Sequence, residues 1–359
     1  MGRRVGLGRD ALDSLRWNAW PVGLMLAYVL GVAMLGAAVG FQVRLQLYSS
    51  FWWAGCLLLA VVGLCALVVR ELLAAKPERP LDHLRDYLVS DRAGLRRRVL
   101  FGLPVFVAFP AFISAFTSAK NALSLLNPFS WDPAFVALDR ALHGGVDPWR
   151  LLQPLLGSPY VTSGVNFFYN LWFFIFYGVL AWMAIATRKP ELRAQFLTAF
   201  VLCWVLLGGV LATLLASVGP CYFGDFYPGL PDPFAEQMAL LRQAHETSPV
   251  WSLQIQQDLL VSLKADEPGL GAGISAMPSL HVAISTLLAI LACKTSRWWG
   301  AAALAFLLVI QLGSVHLAWH YAIDGYLSLL LTPLIWKLSG VLVRAGTMAP
   351  AWAPRPAVA

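Results

Sequence analysis

The chain has 359 residues, of which 59% are AVILMFWYC and 13% DEKR, against roughly 45–50% apolar and about 25% charged in an ordinary soluble domain. That composition excludes a disordered chain and argues against a water-soluble globule. The net charge of +7 sits in short basic segments beside apolar runs, the pattern of membrane orientation, so nucleic acid is not expected as a partner.

A helix needs about 20 apolar residues, at 1.5 Å each, to cross about 30 Å of hydrocarbon. Runs of that kind predict eight spans, near 20–43, 51–73, 99–119, 161–186, 193–218, 278–294, 298–317 and 319–344. The first follows a basic N-terminus, yet its apolar run is too long for a secretory signal and no small-x-small site closes it, so it reads as a retained span. Between spans lie a basic segment (70–98), an amphipathic stretch (121–160) with Trp131, Asp132, Asp139, His143 and Trp149, and a long polar loop (219–275) of the length that is usually functional or disordered. Trp131 and Trp149 are expected to form an interfacial belt. The Pro/Ala-rich tail (349–359) reads as a frayed end, and Cys56, Cys65, Cys203, Cys221 and Cys293 make no metal or redox spacing. The fold class is therefore all-α, a polytopic transmembrane bundle. It divides into a two-span segment with a basic loop (1–98), a catalytic transmembrane domain (99–345) and the tail (346–359).

With these spans, 20 Lys and Arg fall on one membrane face and six (Arg44, Lys120, Arg140, Arg150, Arg242, Lys264) on the other. The first face is expected to be cytoplasmic by the positive-inside rule.

Three of the six histidines and an aspartate (His281, His316, His320, Asp324) lie at ends of the last three apolar segments, where an ionisable group marks a functional site by default. The alternation of spans brings Met277-Pro278-Ser279-Leu280-His281 and His320-Tyr321-Ala322-Ile323-Asp324 to the same extracytoplasmic side. Pro278 suits the first position of a helix, where the free N–H groups and the Ser279 hydroxyl can receive an anion. His320 and Asp324 are one helical turn apart, so the carboxylate can hold one imidazole nitrogen while the other acts as nucleophile or base. Taken alone, that pair reads more readily as a buried, satisfied couple than as a catalytic one. His316 extends it to an i, i+4, i+8 stripe, which leaves a zinc ligand set, a supporting hydrogen bond and plain packing open. Asn166 and Asn170, one turn apart inside a span, either bind a polar headgroup or lock two helices together.

Together the blocks Pro-Ser-x-His and Ser-x5-His-x3-Asp resemble the type 2 phosphatidic acid phosphatase superfamily. The resemblance implies a six-helix phosphatase-like core, with Ser279 as phosphate ligand, His281 as general acid, His320 as nucleophile and Asp324 as its orienter, and it matches Ser314 to the start of the second block. Two departures stand out. Val315 occupies the place of an arginine, and the superfamily's first block, a lysine followed by Arg-Pro, is absent, since Leu72 stands where the lysine would precede Arg79-Pro80. A phosphate still needs a cation, and of the six on that face Lys120 is the first choice. The runs Lys120 to Asp132, Asp139 to His143 and Asp147 to Arg150, with Asn166-Phe167-Phe168-Tyr169-Asn170 and Gly219-Pro220-Cys221-Tyr222, are similar to the inositol phosphorylceramide synthase branch of that superfamily. That likeness offers Asn166, Tyr169, Asn170, Tyr222 and Arg150 as headgroup contacts.

The expected activity is transfer of a phospho-headgroup, of inositol phosphate type, from a lipid to ceramide or a similar lipid alcohol through a phosphohistidine, with no metal and no cofactor. The alternatives are a lipid-phosphate phosphatase, of phosphatidic acid or isoprenyl diphosphate type, and, from another class, a proton-coupled transporter. The expected partners are lipids of the bilayer, with a second copy or another membrane protein left open.

Overall fold

The computed structural model describes residues 2–265 and 273–347; the predicted tail and residues 266–272 of the polar loop lie outside the described residues. Short turns aside, the chain forms α1 (Gly2–Val39), α2 (Ser49–Ala75), α3 (Pro80–Ser90), α4 (Arg92–Asn121), α5 (Asp132–Leu142), α6 (Pro148–Leu156) and α7 (Pro159–Ile185). It continues with α8 (Pro190–Leu202), prolonged by a π-helical segment (Cys203–Leu211), then α9 (Ala235–Thr247), α10 (Trp251–Ala265), α11 (Leu280–Cys293), α12 (Arg297–His316) and α13 (Ala322–Thr347). Among the described residues all regular structure is helical, and seven helices (α1, α2, α4, α7, α8, α12, α13) are long and apolar enough to cross a membrane. The protein is a polytopic helical bundle.

The eighth predicted span is different. α11 has only 14 residues, because Pro278 lies outside the helix and Ser279, not Pro278, caps it by accepting the Val282 N–H. Nine of its residues are buried, while Cys293 at its C-terminal end is exposed. At its other end Pro278 and Ser279 are buried in protein, which permits non-helical backbone at membrane depth. α1 also departs from expectation, starting well before residue 20 and running through Pro21. Its extra turns bury Ser14 and Asn18, which bond the Leu100 and Phe101 carbonyls of α4. Arg193, fully buried at the start of α8, joins them by donating to Asn18 and to the carbonyls of Phe101 and Ala184. This polar knot ties α1, α4, α7 and α8 at the end of the bundle opposite the site.

The polar loop folds. α9 and α10 lie against the end of α12: Gln237 donates to the Val315 and His316 carbonyls at 2.7 and 3.1 Å, and Gln256 to the Leu317 carbonyl at 2.9 Å. These bonds satisfy carbonyls that a helix end leaves without partners.

Candidate active site

The site forms where three loops cross at one end of the bundle. Ala276 N–H donates to the Ser217 carbonyl, Met277 N–H to the Ser217 hydroxyl, and Cys221 N–H to the Ala318 carbonyl. The approach is close enough to require glycine: Gly219, at φ +90°, would place a Cβ 2.9 Å from the Trp319 carbonyl oxygen. Gly273, at φ +93°, lies against the backbone and Cγ of Lys120. Ala318 takes a left-handed φ of +59°, a strained conformation for a residue with a Cβ, held here by burial on all sides.

That strained turn aims His320. Its Nδ1 lies 2.8 Å from the Ala276 carbonyl oxygen and 3.1 Å from Asp324 Oδ2. Both partners are acceptors, so the ring proton belongs on Nδ1, and Nε2 on the opposite edge carries the lone pair. Asp324 Oδ2 also accepts the Tyr321 N–H at 3.0 Å, reaching back from the third residue of α13 to its cap, the acid half of a capping box.

His281 stands across from His320, with ring centroids 6.2 Å apart. It is packed among aromatic rings, stacked on Tyr169 at 4.4 Å and against Trp172 at 4.2 Å, and its Nε2 has no hydrogen-bond partner among the described residues. Both histidines line a cavity of about 750 Å³, together with Lys120, Asn170, Tyr222 and Trp319. Among the described residues of its wall Lys120 is the one lysine or arginine, and there is no carboxylate.

The other predicted residues are placed as follows. Ser279 is fully buried as the α11 cap and lies behind the cavity wall rather than on it. Ser314, also buried and off the wall, donates its hydroxyl to the Ile310 carbonyl, while its own carbonyl receives the Trp319 and His320 N–H groups. Val315 packs with Phe135 and Tyr321, away from the cavity. Asn166 Oδ1 accepts from the N–H and hydroxyl of Ser252, tying α7 to α10, and Ser252 in turn receives the Trp319 indole N–H. Of the two asparagines only Asn170 lines the cavity. Tyr222 lines it too, but its hydroxyl is spent on the Gln256 carbonyl. Arg150 lies off the wall, paired with Glu236 at 2.6 Å, and Arg140 is paired with Asp147 at 2.6 Å.

Two expectations are corrected. The helical stripe of His316, His320 and Asp324 does not form, because α12 ends at His316 and α13 begins only at Ala322. His316 Nε2 instead meets the Thr162 hydroxyl at 2.9 Å, and among the described residues no cluster of three His, Cys, Asp or Glu could hold a metal. The tryptophan belt is half absent: Trp131 is exposed, but Trp149 is buried beneath the Arg150 guanidinium.

The sequence reading gave Asp132 and Asp139 no role, yet they organise the site. Asp132, fully buried, accepts the N–H groups of Val218 and Gly219 and the hydroxyls of Tyr227 and Tyr321, all within 3.0 Å. Burial, with the neighbouring carboxylate second, pushes the Tyr321 hydroxyl well above its ordinary range, so it remains a donor. Asp139 accepts the Ala322 and Ile323 N–H groups at the start of α13. Burial raises its carboxyl above the usual range, and those two N–H bonds oppose the shift. A signal was present: Asp132, Phe135, Val136 and Asp139 share the buried face of α5 at i, i+3, i+4, i+7, so two acids stand on an apolar stripe.

No curated protein and no solved structure matches the chain. The family model of the PAP2 superfamily matches residues 133–338, a segment that holds both histidines, Asp324 and the two blocks around them and leaves Lys120 outside. With more than half of its length in that match, the chain belongs to the PAP2 superfamily, membrane enzymes of lipid phosphatase and phosphotransferase type.

Proposed function

We propose that the protein transfers a phosphoryl or phospho-headgroup from one lipid to the hydroxyl of another, through a phosphohistidine at His320. The observation that carries this reading is the double hold on His320 Nδ1, by Ala276 and Asp324, which leaves Nε2 nucleophilic opposite His281 in one cavity with Lys120. In the first step Nε2 attacks phosphorus, the bond to the leaving oxygen breaks, and His281 gives that oxygen its proton. In the second, an entering hydroxyl attacks, the P–N bond breaks, and the hydroxyl proton returns to His281. Lys120 supplies the charge that Val315 cannot. Ser279 contributes from behind the wall by capping α11, the helix that carries His281.

Water and a lipid alcohol differ only as the second nucleophile, so phosphatase activity uses the same residues. The apolar wall of the cavity favours a lipid acceptor. The charge asymmetry of the faces supports an extracytoplasmic side for the site. The test is to incubate purified protein with phosphatidate, phosphatidylinositol or phosphatidylcholine, with and without ceramide or diacylglycerol, and to follow the product lipids. A new headgroup-bearing lipid that appears only with acceptor supports transfer; free phosphate or phospho-headgroup alone supports the phosphatase; neither product from any donor overturns the reading.

A further inference from the structure

The cavity does not end at the histidines. It runs between α2 and α7, from Tyr48 to Leu59 on one helix and from Asn170 to Ala181 on the other. Each wall is eleven steps long, about 16 Å at 1.5 Å per residue. Of the described side chains of α2 only Trp52 is buried, and Leu58 and Phe174 belong both to the groove and, 63% and 76% exposed, to the outer surface of the bundle. The groove therefore opens sideways toward the bilayer. α2 lies outside the family match at 133–338, while α7 lies within it.

Two glycines face each other's helices near mid-depth. Gly55 lies between Trp52 and Leu59 on the lining face of α2, and Gly178 between Phe174 and Ala181 on that of α7, at i, i+3, i+4 spacings. The rings of Phe51 and Trp52 lie about 6 Å from that of Tyr177, which sets Gly178 within about one helical turn of Gly55. A Cβ added at either would meet nothing within 4 Å. The helices thus leave a gap where any side chain would protrude. It lies about 12 Å along α7 from Asn170, eight residues at 1.5 Å.

We propose that this gap admits one hydrocarbon chain of the lipid phosphate, and that Gly55 and Gly178 set the chain length the enzyme accepts. The occupant must be anionic at one end, where Lys120 and the histidines are, and hydrocarbon beyond, where the wall offers rings and aliphatic side chains. The inference rests on the proposed function, and its test separates the two.

With dioleoyl-phosphatidate and dihexanoyl-phosphatidate as substrates, Gly178→Phe and Gly55→Phe are expected to lower the ratio of kcat/KM, long over short, on the order of tenfold, the scale of crowding a hydrophobic pocket. Gly63→Phe, on the exposed part of α2 outside the groove, leaves the ratio unchanged. Equal losses on both substrates overturn the proposal. Binding is read independently of turnover by photolabelling the wild-type protein with a phosphatidate that carries a mid-chain diazirine. Label on residues 51–59 or 174–181 supports the groove even if no substrate turns over, in which case the proposed function alone fails. No label on either segment, or equal labelling by a diazirine fatty-acid methyl ester of the same chain, which has no phosphate, overturns the groove assignment.

Discussion

Asp139 caps the helix that carries Asp324, its two carboxylate oxygens accepting the Ala322 and Ile323 N–H groups at 2.9 and 3.1 Å across 183 and 184 residues of chain. Asp324 can then spend its own carboxylate on Tyr321 and His320. Asp139→Ala strips two buried donors of their acceptors, at roughly 1–3 kcal/mol each, and loosens the segment that aims His320. The expected result is a lower melting temperature and a fall in kcat with little change in KM. Asp139→Asn, which keeps one acceptor, recovers part of both. A wild-type melting temperature and kcat in Asp139→Ala would remove Asp139 from the positioning of the site.

The proposed roles of the two histidines predict separable phenotypes. His320→Ala removes the proposed nucleophile and is expected to lower turnover on the order of 10⁴-fold or more. His281→Ala removes only the proposed proton donor, with an expected loss of about 10²–10⁴-fold. It should be milder for an aryl phosphate, whose leaving group needs no proton, and a phosphoryl adduct on His320 should still be found by mass spectrometry. If the His281→Ala loss is the same for alkyl and aryl leaving groups, His281 is not the acid.

Lys120 meets the cavity from outside the segment that matches the family. Lys120→Ala is expected to lower kcat/KM on the order of 10²-fold, the scale of one lost contact to transition-state charge. Lys264→Ala should change it little, since Lys264 is exposed and paired with Asp225 at 3.5 Å. Equal, small effects would mean that Lys120 only snorkels to the interface, and the missing cation would then have to come from Arg44 or Arg242, both exposed at this end of the bundle.

Orientation is open to thiol labelling, though not through Cys221. Burial raises that thiol above its ordinary range, and its backbone N–H is tied to Ala318, so it is a poor target. Leu230→Cys, at an exposed turn on the site's end, should react in intact cells with a membrane-impermeant maleimide, and Leu81→Cys at the opposite end should not. The reverse pattern would put the site on the cytoplasmic face.

Apolar run length marked seven of the helices, because the thickness of the bilayer imposes a one-dimensional rule on the chain. The two blocks around Ser279, His281, His320 and Asp324 were equally legible, since the residues of each block are near neighbours in sequence. The same length rule marked 278–294 as a span, but Pro278 and Ser279 lie outside the helix and leave α11 only 14 residues, most of them packed against protein. The stripe through His316 failed because Ala318 breaks the helix that would have made it. What only the tertiary structure decided are contacts between distant segments whose partners are backbone groups: Ala276 behind His320, Asp132 beneath Val218 and Gly219, Asp139 on Ala322 and Ile323. A backbone N–H or C=O is the same at every residue, so its partner leaves almost no mark in the sequence, and the crossing of three loops must be seen before an acid on an apolar stripe acquires a purpose.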